Sequence, residues 1–274
     1  MEDENISTYS KGMVIPIASA IIVAVIIAAV AGFQFLLVGR VIGSGNLVTR
    51  YMDFEDFTAV RIGTAFKVEI AQSTSYGVSI TADDNVFDYI QVSKTGEKLT
   101  IGLAPNHNYY GITLRAKITM PELRELALTG ATRCTINRYG STQGLNVDIS
   151  GASNLSMEDV STGDAKIVIS GASTVTGGMM VSGNTKLIVS GGSRVELEGT
   201  SDVLDIDCYE SSWIDLANFA VYNANVVLSD GSQATINLDG RLDCDLSSGS
   251  RLYYIGNPTF GDVNNSGGST ISGV

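Results

Sequence analysis

Apolar and polar residues alternate along most of the chain after residue 46, and small residues interrupt the alternation at regular intervals. From about residue 126 the same interrupting phrase returns about every 20 residues. Its copies lie at 128–132, 149–153, 169–173 and 189–193, with looser copies at 208–212, 228–232 and 246–250 and a fragment at 267–269. Period-two patterning predicts strands with one inward face, and a unit this short cannot bury that face alone. The sequence therefore predicts an all-β fold: a parallel β-helix, or β-solenoid, with about 20 residues per coil.

Small residues at the corners of the repeat have a structural explanation. A bend between two inward-facing strands leaves little room for a Cβ atom and often requires a positive φ, which favours glycine. Parallel strands stack about 4.8 Å apart, so eight coils would span about 35–40 Å, and parallel crossovers favour right-handed coiling. We assign the corner, with a hydroxyl ladder between coils, to Gly130, Gly151, Gly171, Gly191, Ser153, Ser173 and Ser193.

The chain before the repeat is less regular. Strand-like alternation recurs there, a hairpin turn is predicted at 94–97, and a loop is predicted at 105–111. An irregular cap is what the exposed edge of a solenoid requires. The predicted organisation is a polar tail over 1–12, a transmembrane helix over 13–38, a linker over 39–46, an N-terminal cap and first coils with an inserted hairpin over 47–125, and the regular solenoid over 126–274.

The segment 13–38 is almost continuously apolar. Its length exceeds the roughly 20 residues that cross a hydrocarbon core, which predicts a single-pass anchor in the cell membrane. A cleaved signal peptide is the alternative, because Ala29-Val30-Ala31 is similar to a cleavage site, although the apolar run continues past it. Basic residues flank both ends of the segment, and we expect the domain that follows it to be extracytoplasmic.

The formal net charge limits the possible binding partners, and the placement of the cysteines decides whether disulfides are expected. The net charge is −12, so nucleic acid and anionic headgroups would be repelled, and we expect no nucleic-acid partner. Cys134, Cys208 and Cys244 fall in apolar columns of the repeat, and the last two are about two coils apart, about 10 Å at strand spacing. That separation exceeds the reach of a disulfide, so buried free thiols are expected.

Several short segments of this chain also occur in one family, in the same order. They are Gly43-Ser44-Gly45-Asn46, Phe57-Thr58-Ala59-Val60, Phe66-Lys67-Val68-Glu69-Ile70-Ala71-Gln72, Thr81-Ala82-Asp83-Asp84-Asn85, Asp88-Tyr89-Ile90, Met120-Pro121-Glu122-Leu123 and the Ser-Gly-Ala-Ser corners at 150–153 and 170–173. Over about 43–274 the chain resembles the head GIN domain family, described as "putative auto-transporter adhesin". The resemblance implies a β-helical fold and an envelope or surface role, and it supplies no catalytic residue.

Two groups of residues are candidates for contact with a ligand. One outward column carries Arg194, Trp213, Gln233 and Arg251, where an indole between long polar side chains suits a sugar or a protein surface. The alternative is an ordinary solvent-facing surface in which Arg194 packs over Trp213. The second group is the loop with His107, Tyr109 and Tyr110, whose exposed aromatic rings suit a contact tip. A solvated loop histidine is the alternative there.

Metal binding and catalysis are not expected. Asp148, Asp207 and Asp245 share a column, but apolar residues separate them, and no calcium-binding nonapeptide is present. Polysaccharide-cleaving β-helix enzymes need an acid and a base facing one groove, and no column supplies them. We therefore expect no cofactor, no metal and no enzymatic activity.

The sequence thus favours a membrane-anchored, cell-surface β-solenoid with a structural, adhesion or protein- or glycan-contact role. One alternative is an envelope signalling or stress-response accessory subunit whose membrane helix contacts a partner, with Ser19 and Gln34 as the polar positions of that helix. The other alternative is a carbohydrate-active β-helix enzyme. The oligomeric state stays open.

Overall fold

The computed structural model describes residues 39–274, so the predicted tail over 1–12 and the predicted transmembrane helix over 13–38 lie outside the described residues. Within 39–274, no helix combines the length and apolar character needed to cross a membrane. The chain divides into two compact units. The smaller unit takes in residues up to Val41 together with Pro105–Tyr110, and the larger takes in Ile42–Ala104 and Gly111–Val274.

Strands make up about 65% of residues 39–274, which confirms the predicted all-β class. A 3₁₀ helix spans Asp84–Tyr89. The strands before the repeat are β1 (Gly39–Ile42), β2 (Leu47–Met52), β3 (Ala59–Ile62), β4 (Lys67–Gln72), β5 (Gly77–Asp83), β6 (Ile90–Thr95), β7 (Lys98–Leu103), β8 (His107–Tyr110) and β9 (Leu114–Met120). The strands of the repeat are β10 (Glu125–Leu128), β11 (Arg133–Gly140), β12 (Leu145–Ile149), β13 (Asn154–Thr162), β14 (Ala165–Ile169), β15 (Thr174–Val181), β16 (Asn184–Val189), β17 (Arg194–Cys208), β18 (Trp213–Leu228), β19 (Gln233–Leu238), β20 (Arg241–Leu246), β21 (Arg251–Ile255), β22 (Thr259–Asn265) and β23 (Thr270–Gly273).

The smaller unit contains a two-stranded sheet of β1 and β8. These strands occupy segments that we predicted as the linker 39–46 and the loop 105–111, so both predictions missed a strand. Gly39 passes close to the His107 ring, where an added Cβ would lie 2.8 Å from Cδ2. Each strand has only four residues, and an alternation of apolar and polar residues this short does not predict a strand.

The larger unit is a β-solenoid in which each coil of the repeat contributes one strand to each of two ladders. We call them ladder 1 and ladder 2. Ladder 1 runs, in order of pairing, through β7, β3, β10, β12, β14, β16, the second halves of β17 and β18, β20 and β22. Ladder 2 runs through β2, β5, β9, β4, β11, β13, β15, the first halves of β17 and β18, β19, β21 and β23.

The solenoid has about seven turns, which lie between the eight corners of the repeat. Strands β3, β4, β7 and β9 add further layers at the capped end. Every pairing within the repeat is parallel, as period-two patterning with long crossovers predicts. The right-handed coiling stays a prediction.

The coils at the capped end do not follow chain order. Strand β3 pairs with β10 on one side and with β7 on the other, and β4 likewise lies between β11 and β9. The outer layer of β7 and β9 therefore comes later in the chain than the second layer of β3 and β4, which it covers. Antiparallel strands finish this end: β5 pairs with β9, β2 with β5, and β6 with β7 through the hairpin turn at 94–97. These strands cover ladder edges that would otherwise be open for pairing.

A hydrogen-bonded lock joins the segment 43–46 to the start of the 3₁₀ helix. The Ser44 hydroxyl donates to the Asp84 carboxylate (2.6 Å), and the Asn46 amide donates to its other oxygen (2.8 Å). The buried carboxylate of Asp83 accepts from the backbone N–H of Gly45 (2.7 Å). The two hydrogen bonds, first from Ser44 and then from Asn46, lower the pKa of Asp84 below its usual value. Two motifs that lie about 40 residues apart thus form one structural feature.

The core consists of the inward side chains of both ladders, which are mainly Leu, Ile and Val. Ile169, for example, lies between Ile149 and Val189 of the neighbouring coils. All three cysteines are free, and burial raises the pKa of the Cys134 thiol and raises the pKa of Cys208 to about 11. A thiol with a raised pKa is largely protonated at neutral pH and is a poor nucleophile, as expected of an apolar filler.

Each corner of the regular repeat turns through left-handed backbone. Gly151 has φ +70°, and a Cβ there would lie 2.9 Å from the backbone nitrogen of Gly130 one coil away. The serine beside the corner is buried and uses both roles of its hydroxyl. Ser153 Oγ accepts from the N–H of Thr132 (3.2 Å) and donates to the Ser150 carbonyl (2.8 Å). The hydroxyls of Ser153, Ser173, Ser193 and Ser212 therefore each accept from a backbone N–H of the neighbouring coil, where the sequence left the partner open.

Candidate functional site

The outward column of ladder 2 brings the predicted contact residues into one line. Arg194 pairs with Trp213, Trp213 with Gln233, and Gln233 with Arg251, each one coil further along. Partners in a parallel ladder share a face, so the four side chains project from the same surface at intervals of about 4.8 Å. We call these four residues the contact face.

Arg194 and Trp213 are in direct contact. The guanidinium carbon of Arg194 lies 3.7 Å from the centre of the indole ring, within the range of a cation–π interaction. The same guanidinium pairs with Glu196 at 3.3 Å, and both partners are more than half exposed, so this ion pair adds little stability. Trp213 is half-buried, and Arg194 covers one side of its ring. The contact therefore holds an aromatic surface in a defined orientation beside a solvated cation.

The same column continues beyond the predicted residues into the cap. Arg133 pairs with Lys67, and Lys67 pairs with Arg115. Lys67 and Arg115 were not singled out from the sequence, because their place beside Arg133 depends on the reversed order of the first coils. The family-like segment that contains Lys67 offered no signal of this neighbourhood.

The predicted contact loop is a strand of the smaller unit. His107 Nδ1 lies 3.0 Å from the Pro105 carbonyl oxygen, and its ring centre lies 6.0 Å from that of Tyr109. Tyr110 is exposed, with the guanidinium of Arg40 4.9 Å from its ring centre. No Asp or Glu belongs to this strand, so the group offers aromatic surface and no acid–base pair.

A groove of about 590 Å³ lies along strands β13, β15, β17 and β18 of ladder 2. The sequence indicated no binding site there. It is lined by Asp159, Met180, Glu198 and Asn218, among others, and we call it the acidic groove. Irregularities in three pairings of the ladder shape it. The signal available in the sequence was Gly177-Gly178, where two glycines break a strand pattern.

Carboxylates of ladder 1 are separated as the sequence predicted. Asp148 pairs with Val168, and Asp207 pairs with Ile188 and Val227 before Asp245 is reached. The carboxylate of Asp207 forms an ion pair with Lys186 Nζ, at a distance of 3.0 Å. Within residues 39–274, no group of three or more His, Cys, Asp or Glu side chains is arranged to hold a metal ion.

Comparison with solved structures shows the same fold in several bacterial proteins. A "putative adhesin" from Parabacteroides merdae has a TM-score of 0.79 and 18% identity, over 86% of this chain and 99% of that one. A "putative lipid binding protein" from Parabacteroides distasonis has a TM-score of 0.74 and 19% identity over the same shares. A "putative adhesin" from Bacteroides fragilis has a TM-score of 0.65 and 19% identity, over 85% of this chain and 100% of that one.

Comparison by sequence identifies the family. No curated protein matches the chain significantly. The model of the family described as "putative auto-transporter adhesin, head GIN domain" matches residues 56–258, which include strands β3 to β21. The resemblance inferred from the short segments is therefore confirmed, and the chain belongs to the head GIN domain family.

Proposed function

We propose that this protein is a cell-surface adhesion module that presents ladder 2 to a protein or glycan partner and performs no catalysis. The observation that carries the proposal is the alignment of Arg194, Trp213, Gln233 and Arg251 on one rigid face. The cation–π contact at 3.7 Å limits the freedom of the indole before any ligand arrives. A preoriented aromatic group loses less conformational entropy on binding, which favours affinity.

The absence of catalysis is part of the same proposal. The solenoid core is filled by apolar side chains, and the contact face carries no paired acid and base. Most of the related structures carry the name "putative adhesin", which agrees with a contact role. We further propose that the apolar segment 13–38 anchors the protein in the cell membrane, with the solenoid outside the cytoplasm.

Protease added to intact cells is expected to remove the solenoid, because an extracytoplasmic domain is accessible without lysis. An antibody against an epitope tag at the C-terminus would report the loss by immunoblot. Lysed cells treated in the same way are the control for susceptibility. Full protection in intact cells, together with digestion after lysis, would contradict the proposed location.

Replacement of Trp213 by alanine is expected to lower affinity for the partner at least tenfold, because aromatic anchors dominate contact energies. The full chain, in a non-ionic detergent, would first be screened on a glycan array and on immobilised cell-surface proteins. Isothermal titration calorimetry would measure the affinity of each ligand found, because Trp213 is the only tryptophan and its fluorescence is lost in Trp213→Ala. Tyr222→Ala is the matched control, since Tyr222 is 68% exposed and lies off the contact face. Equal affinity of the native protein and Trp213→Ala would refute the role of this face.

A further inference from the structure

We propose a second binding site, for an acidic glycan, at the capped end of ladder 2. The residues are the cations Lys67, Arg115, Lys117 and Arg133, which we call the basic cluster. The site lies on strands β9, β4 and β11, several coils from Trp213, and it goes beyond the contact role proposed for the Trp213 region. Its ligand class follows from the charge, the shape and the neighbouring side chains.

Strand register places the cations side by side. Arg115, Lys67 and Arg133 are direct partners on three adjacent strands, and Lys117 follows Arg115 on the same face two residues along β9. Adjacent strands are about 4.8 Å apart, so three positive charges project in a row at that spacing. Like charges directly opposite one another in a sheet are destabilising. A row of three therefore costs stability unless an anion neutralises it.

The protein itself does not neutralise the basic cluster. None of the four cations forms an ion pair or a side-chain hydrogen bond with another residue in 39–274, although acids outnumber bases 29 to 17 in the chain. Glu69 is the nearest carboxylate in the ladder, as the register partner of Lys117, and it forms no ion pair in the same range. Three net positive charges thus remain at this place on an otherwise anionic protein.

The basic cluster lines a concave surface that also offers hydroxyl groups. Lys67, Arg115 and Lys117 border a depression of about 340 Å³ together with Glu69 and with Ser79 and Thr81 of the antiparallel strand β5. Register sets Thr81 opposite Arg115 and Ser79 opposite Lys117. The depression therefore presents one row of Thr81, Arg115 and Lys67 beside a second row of Ser79, Lys117 and Glu69. Its cations and hydroxyls can contact an anionic substituent and the neighbouring sugar hydroxyls at once.

An exposed aromatic ring stands at the edge of this surface. Tyr51 pairs with Ser79, so it lies on the same face as the basic cluster, and it is 85% exposed. A tyrosine ring supplies a flat apolar surface with a polar tip, which suits the apolar face of a sugar ring. An isolated phosphate or carboxylate has no apolar face that could pack on this ring.

Net charge decides against nucleic acid and anionic membranes as the ligand. Both extend far beyond a patch of four residues and would meet the surrounding excess of acids, which gives a net charge of −12. A short acidic oligosaccharide spans only the depression and its aromatic edge. The site is therefore matched to sulfate or uronate groups carried on a sugar chain.

A fluorescently labelled sulfated tetrasaccharide, derived from heparin, is the probe for this site. The full chain in a non-ionic detergent is expected to bind it, and the desulfated tetrasaccharide is expected to bind at least tenfold more weakly. Raising the salt concentration from about 50 to about 500 mM is expected to weaken binding, since exposed charges are screened. Lys67→Gln/Arg115→Gln should lower affinity at least about thirtyfold, because it removes two charge-assisted contacts to the sulfates. Tyr51→Ala should lower it about fivefold, because it removes the aromatic surface for the sugar ring.

Matched control variants test whether binding depends on the basic cluster or on net charge alone. Lys94→Gln/Lys166→Gln removes the same charge from exposed positions elsewhere and should bind within twofold of the native protein. Tyr222→Ala, which lies off the contact face and the basic cluster, should also leave this binding unchanged. The probe differs from the ligands titrated against Trp213→Ala, so failure of this site is distinguished from failure of the proposed function. Native affinity in the Lys67/Arg115 variant would overturn the assignment. Equal or tighter binding of an oligothymidylate of matched charge, or of vesicles containing anionic phospholipid, would overturn the glycan class.

Discussion

Replacement of Ile169 by aspartate is expected to unfold the solenoid. Ile169 is 1% exposed and lies in register with Ile149 and Val189, so the new carboxylate would stand between apolar side chains of two coils. An unpaired buried charge costs several kcal/mol even after its pKa has shifted, and folded domains hold only about 5–15 kcal/mol of net stability. We expect a loss of at least about 4 kcal/mol, or no folded protein at about 37 °C.

Val168→Asp is the matched control for this prediction. Val168 is the preceding residue of the same strand, points to the other face and is partly exposed between Asp148 and Ile188. Repulsion from Asp148 is expected to cost less than about 1 kcal/mol, because both charges remain solvated. Thermal unfolding followed by circular dichroism would compare the two variants. Equal melting profiles for Ile169→Asp and the native protein would disprove the inward assignment of this column.

Replacement of Gly177 by alanine is expected to destabilise ladder 2 strongly. Gly177 has φ +120°, which side chains rarely adopt, and a Cβ there would lie 1.9 Å from the backbone oxygen of Met157. That atom belongs to the neighbouring coil and cannot move alone. The coils would have to separate or the strand would have to change its backbone conformation, and we expect a loss of at least about 3 kcal/mol.

Gly178→Ala tests whether the effect arises from the backbone of the bulge. A Cβ at Gly178 would meet only the flexible side chain of Glu198, at 3.5 Å, which is an ordinary contact. We expect a change within about 1 kcal/mol, measured by urea unfolding. Similar losses in both variants would show that the close approach of Gly177 to Met157 does not control stability here.

The regular part of the fold was accessible from the sequence, because each coil repeats the same local pattern. The phrase around Gly151 and Gly171 marked the corners, and the residues on either side marked inward and outward positions. Register along the repeat followed from spacing alone, so the alignment of Arg194, Trp213 and Gln233 could be predicted. The contact between Arg194 and Trp213 is also a direct consequence of that register.

The cap and the candidate sites beside it were not accessible in this way. Nothing in the alternation of β3 shows that it lies between β7 and β10, since a strand with one buried face pairs equally well on either edge. The basic cluster depends on that arrangement, because Lys67 meets Arg115 only when β9 returns to the outer side of β4. Likewise, the acidic groove depends on bulges whose position the period of the repeat does not reveal.

The sequence by itself determined the solenoid, its two-strand coils, its family and the column that contains Trp213, because equivalent side chains recur at a constant interval and stacking converts that interval into contact. Only the tertiary structure decided the order of the first coils, the lock between Ser44 and Asp84, and the meeting of Lys67 with Arg115. These features join segments without a common period, and their pairing is selected by backbone hydrogen bonding and burial across the whole domain.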